Sequence, residues 1–181
     1  MRVLDTPLPG VKLIEPEVHR DQRGFFLESY HELRYAEAGV TTRFVQDNYS
    51  HSGKGTVRGL HAQLRTPQAK LMRVVAGAIF DVAVDIRIGS PTFGKWFAET
   101  LSSDNFKQLF IPEGFVQGFA VLSNYAEIEY KCSAFYDPAD EISVRYDDPD
   151  IAIDWPVVTP ILSARDEAAM SLAALRQRLQ P

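Results

Sequence analysis

Leu71-Met72-Arg73-Val74-Val75-Ala76, then Gly77-Ala78, then Ile79-Phe80-Asp81-Val82-Ala83-Val84-Asp85-Ile86-Arg87 is the stretch on which the fold turns. Both arms are dense in apolar and β-branched residues, which favour extended backbone. Each arm is too short for an ordinary buried helix and is bounded by a turn signal. Gly77-Ala78 suits a tight hairpin between them.

Outward from this pair the same pattern recurs. Apolar or alternating runs at 11–14, 24–30, 43–49, 56–64, 93–101, 107–111, 116–122 and 126–134 read as strands, with 142–146 as the last long one. Ser52-Gly53-Lys54-Gly55, Pro112-Glu113-Gly114 and Ser123-Asn124 supply turns between them. Residues 31–38 read as a short helix that stops at Gly39. From Ser163 onward the pattern changes to helical. Asp166 and Glu167 lie in a first turn, Leu172, Leu175 and Leu179 recur at helical spacing, and Arg176 and Arg178 close the helix. Short strands at regular spacing point to an all-β sandwich or barrel rather than to α/β. No linker, repeat or low-complexity tract interrupts the chain, so residues 1–181 are expected to form one domain.

Composition narrows the function. At 181 residues, 45% hydrophobic and 24% charged, the chain can bury a core without staples. A net charge of −5 disfavours a broad nucleic-acid or membrane surface, so an anionic ligand needs a local basic cluster. Residues 1–10 hold no apolar leader core, and no run of about 18 apolar residues occurs; a cytoplasmic protein is expected. Cys132 is the single cysteine, which excludes an internal disulfide and a thiolate metal cage. It alternates with Tyr130 and Ile128 and reads as a small buried filler, with a catalytic thiol as the other option.

The segment Arg58-Gly59-Leu60-His61-Ala62-Gln63, with Lys70 nine residues after the histidine, carries the chemistry. Imidazole suits proton abstraction near neutral pH, and an ammonium can hold the resulting negative charge. A histidine in an apolar strand can equally be structural. Strict alternation puts Arg58 and His61 on opposite faces; a bulge at Gly59 would re-aim one of them. Lys70 shares a face with Met72 and Val74. Tyr130 shares one with Ile128 and Cys132, opposite Glu127, Glu129 and Lys131, and is either a structural phenol or an inward general acid. Asp166 reads as a helix-capping carboxylate. His61 is followed by Gln63 rather than a second histidine, and His19, His31 and His51 match no compact ligand set, so no metal is expected.

Taken in order, several motifs resemble one family. They are Asp21-Gln22-Arg23-Gly24-Phe25-Phe26-Leu27-Glu28, Phe44-Val45-Gln46-Asp47-Asn48-Tyr49-Ser50, Arg58-Gly59-Leu60-His61, Phe80-Asp81-Val82-Ala83-Val84-Asp85-Ile86-Arg87, Ser90-Pro91-Thr92-Phe93-Gly94-Lys95-Trp96, Ile111-Pro112-Glu113-Gly114-Phe115, Tyr130-Lys131-Cys132 and Leu162-Ser163-Ala164-Arg165-Asp166. Together they resemble the dTDP-4-dehydrorhamnose 3,5-epimerases of dTDP-L-rhamnose synthesis. The resemblance implies a cupin-type jelly-roll (double-stranded β-helix) with short flanking helices and a C-terminal helix. It implies a dTDP-linked 4-keto-6-deoxy sugar as substrate, inversion at C3 and C5 through an enolate, no cofactor, and a homodimer. His61 matches the family base, Tyr130 the acid, Asp166 the carboxylate that orients the imidazole, and Lys70 the enolate stabiliser. Arg23, Glu28, Gln46, Asp47, Asn48, Arg58 and Glu141 match positions that hold sugar, pyrophosphate or nucleoside, and Tyr136 resembles an aromatic flanking the sugar. Residues 23–28 are expected to serve the neighbouring subunit.

The chain departs from the family pattern at three places. Gln117 stands where histidine is usual, Ala62 where tyrosine or phenylalanine is common in a segment one residue shorter, and Arg165 where lysine is usual beside Asp166. Gln117 can still hydrogen-bond, but it cannot titrate. An epimerase inverting one centre only, a non-catalytic sugar-nucleotide-binding cupin and a metal-dependent cupin oxygenase are the competing readings.

Overall fold

The structure is a computed structural model that describes residues 1–180. It is an all-β jelly-roll whose two main sheets pack face to face. The six-stranded sheet runs in the order β1 (Arg2–Asp5), β2 (Lys12–Glu15), β10 (Gln108–Ile111), β7 (Lys70–Ala76), β12 (Tyr125–Cys132), β5 (Gln46–Gly53). The five-stranded sheet runs β13 (Glu141–Ser143), β6 (Val57–Gln63), β11 (Phe115–Val121), β8 (Ala78–Asp85), β9 (Trp96–Ser102). A separate hairpin joins β3 (Val18–Asp21) to β4 (Gly24–Leu27). The helices are short: α1 (Glu32–Glu37), α2 (Ala164–Glu167) and α3 (Leu172–Leu179). Among the described residues no helix is long and apolar enough to cross a membrane.

The expected hairpin at Gly77-Ala78 does not form. β7 pairs with β10 and β12 in one sheet, while β8 pairs with β11 and β9 in the other. Gly77 turns the chain across the gap between sheets. Its φ of +79° is open to glycine, and a Cβ there would collide with the Tyr125 carbonyl oxygen. Ser123 Oγ accepts from the Ala78 N–H at 2.9 Å and closes the corner. The other expected turns behave alike: β5 to β6, β10 to β11 and β11 to β12 each pass from one sheet to the other. This alternation makes the double-stranded β-helix.

Burial on both faces explains the near-continuous apolar strands. Between the sheets lie Met72, Val74, Ile79, Ala83, Leu109, Phe119 and Ile128. Outside the five-stranded sheet, Leu60, Val82, Val84, Val116 and Ile142 pack under Leu172 and Leu175 of α3. Outside the six-stranded sheet, Ile14, Leu71 and Phe110 pack under Tyr35 of α1. β8 therefore sends Ile79, Asp81 and Ala83 inward and Val82 and Val84 outward, which is period-two geometry.

Four further expectations need correction. β1 and β3 fall outside the expected strands, because Arg2-Val3-Leu4-Asp5 and Val18-His19-Arg20-Asp21 carry too few apolar residues; pairing with β2 and β4 makes them strands. β5 runs on to Gly53, past the expected end. The strand expected at 142–146 is only Glu141–Ser143. The C-terminal helix is two helices. Between them Met170 bridges Val144, and Ser171 starts α3 by accepting the Ala174 N–H at 3.1 Å.

Candidate active site

A cavity of about 580 Å³ opens between the sheets. Its walls bring together His61 and Arg58 on β6, Lys70 and Met72 on β7, Gln117 on β11, Tyr130 on β12, Gln46 and Asn48 on β5, Glu141 on β13, and Arg165 and Asp166 on α2. Tyr136 stands in the loop after β12 and also lines it.

A bulge in β6 makes the site possible. Arg58 pairs with Phe119 and His61 with Gln117, so three steps on β6 match two on β11. The extra residue lets Arg58 and His61 both face the cavity while Leu60, between them, enters the outer core. Gly59 permits this with φ +121°, and a Cβ there would run into the Gly118 Cα.

His61 Nε2 lies 2.5 Å from Asp166 Oδ1. An ionised carboxylate only accepts, so Nε2 carries the proton and Nδ1 is left with a free lone pair. Glu141 Oε1 stands 3.9 Å from Nδ1. Asp166 is buried, which raises its pKa, but its bond to His61, the pull of that imidazole whenever it is charged, Ser163 and Arg165 together hold it below the usual carboxylate range. Ser163 Oγ donates to Asp166 Oδ2 at 2.8 Å and also caps α2, so the carboxylate is fixed from two sides. Asp166 thus sits in a helix's first turn, yet its side chain binds the imidazole rather than the helix N–H groups; Ser163 is the cap.

Across the cavity, Tyr130 projects from the opposite sheet beside Ile128 and Cys132, as the alternation of β12 requires. Burial pushes its phenol pKa up, with Cys132, Glu141 and Tyr136 adding to the rise and Arg58 opposing it. A phenol that stays protonated is a donor. Lys70 lines the same space, and burial pulls its pKa below that of an ordinary lysine. Its Nζ donates to Gln117 Oε1 at 3.5 Å. At the rim, Arg165 pairs with Glu141, whose Oε2 also accepts from the Tyr136 hydroxyl at 2.7 Å. Gln46 Oε1 accepts from the Tyr136 N–H at 2.9 Å, and Gln46 Nε2 donates to Asn48 Oδ1 at 3.0 Å.

Three of the residues singled out in the sequence do not reach this cavity. Asp47 lies between Gln46 and Asn48 on an alternating strand, so it faces out and pairs with Lys131 at 3.0 Å. Arg23 sits at the tip of the β3–β4 hairpin, paired with Asp21 at 2.5 Å. Glu28 follows β4 and pairs with Arg34 at 2.8 Å. Sequence reasoning in turn misses Ser50, Gln68, Phe119 and Ser163, which line the walls. It also misses Asp81, whose one signal is a lone carboxylate in the apolar run Ile79-Phe80-Asp81-Val82. Among the described residues no cluster of three or more His, Cys, Asp or Glu could hold a metal ion.

A family model described as dTDP-4-dehydrorhamnose 3,5-epimerase matches residues 5–174. The chain belongs to the dTDP-4-dehydrorhamnose 3,5-epimerase family. It is 48% identical to the family member from Pseudomonas aeruginosa, over 96% of this chain and 97% of that protein. It is 51% identical to the member from Neisseria gonorrhoeae over 96% of this chain, and spans 53% of that longer protein. The crystal structure of a dTDP-6-deoxy-D-glucose-3,5-epimerase from Legionella pneumophila, in complex with dTDP-4-keto-L-rhamnose, superposes with a TM-score of 0.96 at 49% identity and covers 99% of this chain and 97% of that one. The family assignment agrees with a cavity that presents an imidazole and a phenol from facing sheets.

Proposed function

We propose that this chain epimerises dTDP-4-dehydro-6-deoxy-D-glucose at C3 and C5, giving dTDP-4-dehydro-L-rhamnose. The observation that carries the reading is the placement of His61 and Tyr130 on opposite sheets around one cavity. The C4 ketone acidifies the protons on C3 and C5. His61 Nδ1 takes one of them, Asp166 stabilises the imidazolium, and the electron pair moves onto the C4 oxygen as an enolate. Lys70 donates to that oxygen. Tyr130 returns a proton to carbon from the other side of the ring. Arg58 and Arg165 form the local basic cluster for the pyrophosphate that an acidic protein needs. Gln46, Asn48, Tyr136 and Glu141 hold sugar or nucleoside, and every bond change is proton transfer, so the scheme uses no cofactor.

We further propose a homodimer in which the β3–β4 hairpin serves the neighbouring subunit. The hairpin pairs with neither main sheet, and Phe25 and Phe26 on it are 56% and 69% exposed. Such apolar exposure supports a partner surface. It would also give Arg23 and Glu28 a route to the neighbour's nucleotide, and Arg23→Ala would then raise KM with little change in kcat.

A second reading, inversion at one centre only, is favoured by Gln117, a neutral group beside Lys70 in the cavity wall. NMR of the substrate incubated in D₂O separates the readings. Deuterium at both C3 and C5 with L-rhamno product is the expected result. Deuterium at one carbon supports the second reading. Tight binding with no deuterium uptake contradicts both and leaves a sugar-nucleotide-binding protein.

A further inference from the structure

Asp81 has no part in the chemistry above, yet it is 0% exposed on the inward face of β8. Its Oδ1 accepts from Gln117 Nε2 at 2.6 Å, and its Oδ2 has no hydrogen-bond partner. Gln117 presents its other end, Oε1, to Lys70 Nζ. A primary amide has one accepting end and one donating end, a carboxylate only accepts and an ammonium only donates. The row Asp81–Gln117–Lys70 therefore works in one direction. Reversing the amide would set NH₂ against NH₃⁺ and carbonyl against carboxylate. An orphaned carboxylate oxygen in an apolar interior is costly unless it serves something nearby.

We propose that Asp81 is a positioning residue for Lys70: by accepting from Gln117 Nε2 it fixes which way the amide points, so that the Gln117 carbonyl holds Lys70 Nζ toward the oxygen that becomes the enolate. The role rests on the epimerase reading for its purpose, and the geometry is independent of it.

The charges around both ends agree. Burial pulls Lys70 toward the neutral amine; Cys132 on β12, Asp81 on β8 and Glu141 on β13 oppose that, while Arg165 on α2 reinforces it. Burial pushes Asp81 up to about 7, held from going further by its bond to Gln117, by Lys70 and by the Val82 N–H. Glutamine cannot titrate, so it transmits direction and field between these two groups without taking the proton itself.

The test is Asp81→Asn, a substitution of nearly equal volume. The new carboxamide can donate to Gln117, which lets the Gln117 amide turn its NH₂ toward Lys70. The expected result is a folded protein whose kcat falls about tenfold while KM stays within about twofold. The alkaline limb of its pH profile moves down by about one unit, because Lys70 loses a favourable charge. Adding Gln117→Glu to Asp81→Asn restores an acceptor for both neighbours, and the alkaline limb returns upward. A folded Asp81→Asn variant with unchanged kcat and unchanged limb overturns the proposal. If Asp81→Asn does not fold, Asp81→Ser decides: it also removes the carboxylate that faces Gln117, so kcat must fall and the alkaline limb must move to lower pH, and an unchanged kcat with an unmoved limb overturns the proposal. The ¹⁵Nζ titration of Lys70, followed by NMR in wild type and variants, reads the same shifts without substrate. A wild-type protein that shows these titrations but no deuterium uptake would sink the epimerase reading and leave the array standing.

Discussion

β12 keeps strict alternation through Ile128, Tyr130 and Cys132, whereas β6 breaks it between Arg58 and His61. Both strands deliver an ionisable side chain to the same cavity. On β12 the delivery follows from period two alone: once Ile128 and Cys132 face the core, Tyr130 must too. On β6 the same delivery needs a glycine, an extra residue and a second glycine opposite. Gly118 lies so close that a Cβ on it would meet the Arg58 carbonyl oxygen at 2.7 Å. A regular strand can place one group per two residues on a face. A bulged one can place Arg58 and His61 on that face three residues apart and still bury Leu60 behind it.

His61→Ala removes the imidazole that the bulge aims, and kcat should fall by about 10³–10⁴ in a protein that still folds. Tyr130→Phe removes one oxygen from the regular strand. Net inversion should slow by about 10²-fold, with a protein that folds normally. Gly59→Ala attacks the bulge itself. The Cβ clash and the left-handed backbone should cost about 3 kcal/mol, lowering the melting temperature by roughly 10 °C, read by calorimetry. Glu129→Ala, on the outward face of β12, loses only a half-exposed pair with Arg73. Its cost should be about 0.5 kcal/mol with kcat unchanged. A large effect of Glu129→Ala on kcat would show that the two faces of β12 are not separated as period two demands.

The sequence is most readable where one face decides the pattern. Lys70 with Met72 and Val74, and Tyr130 with Ile128, need nothing beyond alternation. Which sheet each strand joins is not readable. Gly77-Ala78 looks like a hairpin turn in sequence, and only the Tyr125 backbone and the Ser123 side chain packed against it show a corner between sheets. β1 and β3 escape notice because edge pairing, not apolar content, makes them strands. The break between α2 and α3 is hidden for a similar reason. Leucines at helical spacing continue past it, while a single bridge from Met170 to Val144 stops the helix. Asp47 shows the converse error. A motif marks it beside Gln46 and Asn48, and alternation turns it away from the cavity. Asp81 goes unnoticed because a lone carboxylate in a buried strand has no partner in its own sequence neighbourhood; Gln117 is 36 residues away.

His61 and Tyr130, on facing sheets, are proposed to work on opposite sides of one sugar ring. Isotope exchange in D₂O with His61→Ala and Tyr130→Phe, followed by ¹H NMR of the substrate, reads it most directly. The expected result is no deuterium uptake with His61→Ala, and uptake with retained configuration with Tyr130→Phe, since abstraction survives when delivery from the far side is lost. Wild-type exchange in His61→Ala, or normal inversion in Tyr130→Phe, would contradict it.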